Sequence, residues 1–149
     1  MLNQIRWRRV LLAALLSEVG VIALLLAIVT VYSRLIRPDV SGAEYQELGQ
    51  RIGYYVAPAA GAVMIFLMVL WVGRRLEGGF VANGVMVGVV SVVLTSGFFL
   101  AARPEDRAMY GVAFALRIVA GYLGGLAAQR RAGQQTAQGA ARRPLGSLR

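Results

Sequence analysis

Two ionisable residues lie inside otherwise apolar stretches of the sequence, and they are the first candidates for chemistry. Glu18 has leucine, isoleucine and valine around it, and Arg117 lies in a run rich in alanine, glycine and valine. A charged side chain at the centre of a membrane-spanning helix costs roughly 2.5–3.5 kcal/mol on insertion scales. We expect Glu18 and Arg117 to form an internal salt bridge. A proton- or anion-handling site and separate snorkelling of each side chain are the alternatives.

The positions of these two residues along their stretches favour a contact between them. Glu18 lies about eight residues, and Arg117 about eleven, from the end of its stretch that is rich in arginine, which gives depths of roughly 12 and 16 Å at about 1.5 Å per residue. An arginine side chain can cross that difference. Ala113, Ala120 and Gly121 are neighbours of Arg117 on a helix surface, so its face is expected to pack against other helices.

The sequence lacks the residue types on which most enzymatic mechanisms depend. It contains no cysteine and no histidine, which excludes disulfides, thiol nucleophiles, imidazole bases and zinc sites of the Cys/His kind. The hydroxyl groups within the apolar stretches have neither histidine nor lysine to activate them. The carboxylates are scattered, and only Glu105 and Asp106 are adjacent. We therefore expect a protein that is not an enzyme, with no catalytic residue, no metal and no cofactor.

Four apolar stretches, over about residues 10–33, 54–73, 80–102 and 108–129, must position Glu18 and Arg117. Each is long enough to cross the roughly 30 Å hydrocarbon core of a bilayer. The first has a basic leader like that of a signal peptide, but it is longer than a signal-peptide core and no small-x-small cleavage site follows, so we expect a retained helix. Short connections force antiparallel neighbours. The sequence predicts an all-α integral membrane four-helix bundle made of two antiparallel helical hairpins.

The longest connection is expected to contain a short amphipathic helix on the outer surface, over about residues 42–52. Ser41 and Glu44 have the spacing of a capping box, and apolar residues follow at helical intervals. Gly49 and Gly53 are expected to weaken its continuation into the second span. The transmembrane domain is predicted over residues 1–131, and residues 132–149 are predicted to form a disordered basic tail.

Every basic residue is arginine, and the arginines are distributed unequally between the two sides of the predicted bundle. With a cytoplasmic N-terminus, the inner segments hold ten arginines and one acid, whereas the outer loops hold five arginines and five acids. The positive-inside rule then places both termini in the cytoplasm, and we expect the bacterial inner membrane. The arginines lack the interleaved aromatic residues of a nucleic-acid site. The expected partners are the lipid bilayer and either a second copy or another membrane protein.

Small residues recur at helical spacing in the third and fourth spans, which indicates faces where helices approach closely. The predicted packing residues are Gly84, Gly88, Ser91, Thr95, Gly111, Ala115, Gly121 and Gly125. We expect these faces to pack a single bundle, and self-association through one of them is the alternative.

The segment Leu16-Ser17-Glu18-Val19-Gly20 resembles the first helix of the small multidrug resistance family. That resemblance covers one helix of four and implies a proton-coupled exporter in which Glu18 binds a proton or a cation. Arg117 departs from that family's pattern, because it supplies an internal counter-charge that would compete with a cationic substrate.

A wider resemblance covers most of the chain. Trp7-Arg8-Arg9, Arg74-Arg75, Asn83-Gly84, Leu116-Arg117 and the closing Gly121-Tyr122-Leu123-Gly124-Gly125 with Arg130-Arg131 are similar to features of uncharacterised small four-helix membrane proteins of bacteria. The resemblance implies an inner-membrane location and no particular activity.

Two functions remain open from the sequence. The first is a structural or accessory membrane protein that packs with itself or with a membrane partner. The second is a small oligomeric transporter that uses Glu18, Arg117 or both within the membrane. A transporter should have a water-accessible polar cavity that reaches one of these two residues.

Overall fold

The computed structural model describes residues 5–36 and 41–141, and it folds them into four long helices. These are α1 (Trp7–Val31), α2 (Gly42–Gly73), α3 (Phe80–Ala101) and α4 (Arg107–Ala141). A π-helical turn, Tyr32–Ile36, continues α1, and a 3₁₀ turn, Pro104–Asp106, precedes α4. The described part of the chain contains no strand. The prediction of an all-α chain with four long helices is confirmed.

All four helices are long and apolar enough to span a membrane. The candidate spans are Trp7–Leu35, Gly42–Gly73, Phe80–Ala101 and Arg107–Gln135. Their mean hydropathy ranges from 2.6 in the first to 1.6 in the fourth, which is the span that carries Arg117. These lengths exceed the roughly 20 residues that a bilayer core requires.

The helices pack so that α1 and α4 each contact both α2 and α3, which places α1 and α4 at opposite corners of the bundle. The side chain of Arg9, at the start of α1, donates to the backbone carbonyl of Arg75, just after the end of α2. Gly73, the last residue of α2, lies against Ala128 of α4. We call this end of the bundle, marked by Arg9, Arg75 and Ala128, the arginine end.

The hydrophobic core lies between the middle of the bundle and the arginine end. Buried residues occur between Val10 and Val21 in α1, and between Asn83 and Ser91 in α3. Farther from the arginine end, α3 carries bulky and exposed side chains such as Phe98 and Leu100. Small residues such as Gly84 and Gly88 allow α3 and α4 to approach closely in the half of the bundle nearer the arginine end.

The predicted outer helix over residues 42–52 is not a separate element. It is the first part of α2, which continues without a break to Gly73. The Glu44 carboxylate accepts hydrogen bonds from the backbone N–H and the hydroxyl of Ser41, at 3.0 and 3.1 Å. Each residue added to an existing helix gains a hydrogen bond, which offsets the cost of about 1 kcal/mol for each of Gly49 and Gly53.

The predicted tail also differs from the structure, because α4 extends as far as Ala141. Residues 132–141 are therefore helical rather than disordered, and residues 142–149 lie outside the described part of the chain. This segment is rich in alanine and glutamine, which favour helix, and the preceding span supplies the nucleus.

Candidate functional site

Glu18 of α1 and Arg117 of α4 form an ion pair in the middle of the bundle. Arg117 Nη1 lies 2.7 Å from Glu18 Oε1, and Arg117 Nη2 lies 3.3 Å from Glu18 Oε2. The Arg117 side chain is only 8% exposed and that of Glu18 is 17% exposed. The guanidinium group therefore meets the carboxylate through two parallel hydrogen bonds, in the bidentate geometry that arginine favours.

Ser91 of α3 connects the two charged groups. Its hydroxyl donates to Glu18 Oε1 at 2.5 Å and accepts a hydrogen bond from Arg117 Nη1 at 2.9 Å. Ser91 is fully buried, so these two hydrogen bonds satisfy a hydroxyl that has no contact with solvent. The serine thus belongs to the polar site as well as to the packing face of α3.

Thr95 lies one turn farther along α3 and completes the set, which we call the central polar cluster: Glu18, Ser91, Thr95 and Arg117. The Thr95 hydroxyl accepts from Arg117 Nη1 at 2.9 Å and donates to the Ser91 backbone carbonyl, also at 2.9 Å. Three helices therefore contribute polar groups to one network.

The remaining helix, α2, contributes a glycine to the surroundings of the central polar cluster. A Cβ atom on Gly61 of α2 would lie 3.1 Å from Arg117 Nε and 3.2 Å from Nη2, so the guanidinium group rests against the backbone of α2. Arg117 Nε is buried and has no hydrogen-bond acceptor among the described residues. A side chain at position 61 would compete with Arg117 for this space.

The electrostatics of the central polar cluster favour a closed structural unit. Removing two charges from water is costly, and their attraction offsets that cost only when the geometry is good and the remaining polar atoms are bonded. Here the positive and negative charges cancel, the Ser91 hydroxyl bonds to both charged groups, and the Thr95 hydroxyl bonds to Arg117. Arg117 Nε is the buried side-chain atom that has no partner among the described residues. The cluster leaves no net charge for a ligand to neutralise.

The glycines of α3 and α4 bring the backbones of these two helices into contact. A Cβ on Gly88 would lie 2.7 Å from the Arg117 carbonyl oxygen, and one on Gly125 would lie 2.7 Å from Val81 Cα. Gly84 and Gly121 face each other in the same way. The structure thus places these four predicted packing residues at one interface, with Ser91 and Thr95 continuing it.

Gly111 and Ala115 do not pack in this structure, which corrects the prediction made for them. Both are exposed, and a Cβ on Gly111 would meet no atom within 4 Å. With about 100° per residue, they lie roughly 120° and 160° around the helix from Arg117. Arg117 defines the inward face of α4, so small residues at that angle point away from the bundle.

Asn83 is a buried polar residue that the sequence does not identify as a site, although Asn83-Gly84 belongs to the wider resemblance. Its side-chain oxygen accepts the backbone N–H of Arg6 at 2.8 Å, and its amide donates to the carbonyl of Gly79 at 2.8 Å. It is 2% exposed and joins the starts of α1 and α3. A lone amide one turn into an apolar span is the signal that could have identified it.

Comparisons with protein-family models, curated proteins and solved structures find no significant match to this chain. Among the described residues, no group of three or more His, Cys, Asp or Glu side chains could hold a metal ion. Function is therefore inferred from the geometry of the central polar cluster and from the charges at the ends of the bundle.

Proposed function

We propose that this chain is a non-enzymatic, multi-pass membrane protein with a structural or accessory role, which packs with itself or with a membrane partner. The observation that carries this proposal is the closure of the central polar cluster. Glu18 and Arg117 neutralise each other, and Ser91 bonds to both. A carboxylate engaged in this way stabilises the bundle and is not free for a cargo.

The same proposal includes two antiparallel helical hairpins in a bacterial inner membrane, with both termini in the cytoplasm. The contacts that define the arginine end support it, because they bring the start of α1 to the ends of α2 and of the fourth span. Arg130 and Arg131 lie on α4 just beyond Ala128. A concentration of arginine at one end is what the positive-inside rule associates with the cytoplasmic side.

A small oligomeric transporter is the second candidate, and the partial exposure of Glu18 favours it. The Glu18 side chain is 17% exposed, about twice the exposure of Arg117. No residue of α3 after Ser91 is buried, so α3 is exposed from the cluster to the end that lies away from the arginine end. A carboxylate with some access to its surroundings is a requirement for proton-linked transport.

The experiment compares the parent chain with Glu18→Gln after reconstitution into vesicles that enclose a pH-sensitive dye. A structural or accessory protein should resist extraction from the membrane by carbonate, give no proton flux above empty vesicles, and form a defined assembly in lipid nanodiscs. Proton flux that disappears in Glu18→Gln would replace this proposal with the transporter. Release by carbonate would contradict the membrane location itself.

A further inference from the structure

Positive charge accumulates at the arginine end with little compensation. The arginines at this end lie at or just before the start of α1, in the turn after α2 and on α4, namely Arg6, Arg8, Arg9, Arg74, Arg75, Arg130 and Arg131. Within the described part of this end, Glu77 is the one acid, and it lies 3.9 Å from Arg6 with both side chains mostly exposed. Such a pair is screened by water and leaves most of the positive charge available.

Two of these arginines, Arg9 and Arg75, are in contact where the start of α1 meets the end of α2. The Arg9 guanidinium group donates through Nη1 to the backbone carbonyl of Arg75, which fixes it at the end of α2. The Arg75 guanidinium carbon lies 5.9 Å from the ring centroid of Trp71. The end of α2 therefore holds a guanidinium–indole pair, Arg75 with Trp71, and a second guanidinium group, that of Arg9, which bonds to the backbone of Arg75.

We propose that Arg9, Trp71 and Arg75 form a binding site for the phosphate headgroup of an anionic phospholipid. The inference rests on the proposed membrane location. Guanidinium groups bind phosphate oxygens through paired N–H donors, and the bond from Arg9 to Arg75 uses only one of the five N–H groups of Arg9. Trp71 is 42% exposed, and tryptophan favours the headgroup level of a bilayer.

The surface next to this site is apolar, which favours a lipid over a soluble phosphate compound. Leu12 and Leu16 lie three and seven residues after Arg9, on the same face of α1, and are 47% and 39% exposed. Leu67 lies one turn before Trp71 on α2 and is 47% exposed. From the arginine end toward the middle of the bundle, the surface is first charged and then apolar. A ligand with a charged head and an apolar tail matches this order.

The test measures quenching of Trp71 fluorescence in vesicles, with Trp7→Phe as the background because Trp7 is the other tryptophan of the chain. Brominated phosphatidylglycerol is compared with brominated phosphatidylcholine of the same acyl chains. We expect phosphatidylglycerol to quench at a clearly lower mole fraction. Arg75→Gln should reduce this preference about fivefold, since one arginine near an anionic surface contributes about a factor of five to binding.

Arg131→Gln is the matched control, because it removes the same charge from the same end but from α4, whereas Arg9 and Arg75 lie at the start of α1 and the end of α2. We expect it to change the preference by less than about twofold, since a charge that does not bond to the headgroup contributes only an attraction that salt and water screen. Equal losses in the two variants would mean diffuse attraction to anionic lipid and would overturn the proposed site. So would the absence of any preference in the parent background.

A thermal measurement distinguishes the lipid from a free phosphate anion. Unfolding in detergent is followed with added phosphatidylglycerol or inorganic phosphate, and we expect only the lipid to raise the Tm. Equal stabilisation by phosphate would show that the site takes the free anion, which overturns the lipid assignment. A chain that enters phosphatidylcholine vesicles but shows no lipid preference contradicts this inference alone, whereas one that fails to enter them contradicts the proposed function.

Discussion

The carbonyl oxygen of Arg117 lies so close to Gly88 that it leaves no room for a side chain there. A Cβ atom on Gly88 would be 2.7 Å from that oxygen and 2.9 Å from Ile118 Cα. The close approach of α3 to α4 at Gly88 therefore sets the position from which Arg117 extends toward Glu18. Packing and ion pairing in this bundle depend on the same contact.

Replacing Gly88 with leucine should destabilise the protein by about 1–3 kcal/mol through overpacking. The atoms in the way belong to the backbone of α4 and cannot move without shifting the helix. The free energy of unfolding in one detergent provides the measurement. Gly97→Leu is the control, because Gly97 is on the same helix and has no atom within 4 Å of its Cβ position. Equal stability of both variants would show that α3 and α4 do not approach at Gly88.

The second prediction concerns Glu18 and Arg117 as a pair. Glu18→Gln and Arg117→Met should each cost about 3–5 kcal/mol, because each leaves a buried charge without its partner. The double variant should recover much of that loss, because it leaves no buried charge without a partner. Thermal unfolding of all four members of the cycle measures the coupling. Additive losses would mean that the two side chains do not interact.

Ser91 provides a third prediction, because its hydroxyl bonds to both charged groups. Ser91→Ala should destabilise the bundle by about 1–3 kcal/mol, the cost of leaving buried polar groups with fewer partners. Ser96→Ala is the matched control, since the Ser96 hydroxyl bonds only to the carbonyl of Val93 on its own helix. If chemical denaturation gives the same loss for both, the link between Ser91 and the ion pair has no energetic role.

The sequence predicted the helices well because hydrophobic length is a property of each segment alone. It also placed Glu18 and Arg117 at similar depths, which follows from the rise per residue. The sequence does not determine how α3 is rotated about its own axis between α1 and α4. It therefore predicts Ser91 and Thr95 only as packing residues and not as partners in hydrogen bonds.

Gly111 and Ala115 illustrate a second limit of the sequence. Small-xxx-small spacing occurs on any face of a helix, and only the direction of Arg117 shows which face of α4 points inward. The sequence also does not predict the continuity of α2 or the full length of α4. Local propensity understates how readily an existing helix extends, because each added residue gains a hydrogen bond.

The proposed topology gives the fourth prediction. Single cysteines at Glu47 and Gln135 should react with a membrane-impermeant maleimide from opposite sides of the membrane, because the chain has no cysteine of its own and these positions lie at opposite ends of the bundle. Labelling after permeabilisation controls for intrinsic reactivity. Reaction of both from the same side would contradict the arrangement of the spans.

The last prediction uses Arg117 Nε, which has no acceptor among the described residues. Gly61→Ala introduces a Cβ that would lie 3.1 Å from this nitrogen, while Glu18 and Ser91 hold the guanidinium group in place. This crowding should cost about 1–3 kcal/mol. Gly61→Ser introduces the same Cβ but adds a hydroxyl oxygen that Nε can bond to, and a hydrogen bond to a charged group contributes about 1.5–3 kcal/mol.

The serine variant at position 61 should therefore be more stable than the alanine variant, although serine is the larger residue and the weaker helix former. At Gly97, where the Cβ position is open, the order should be reversed, with alanine at least as stable as serine. Free energies of unfolding for the four variants test this reversal. If alanine is the more stable at both positions, Arg117 Nε already has an acceptor, and the guanidinium group does not rest against Gly61 as the structure has it.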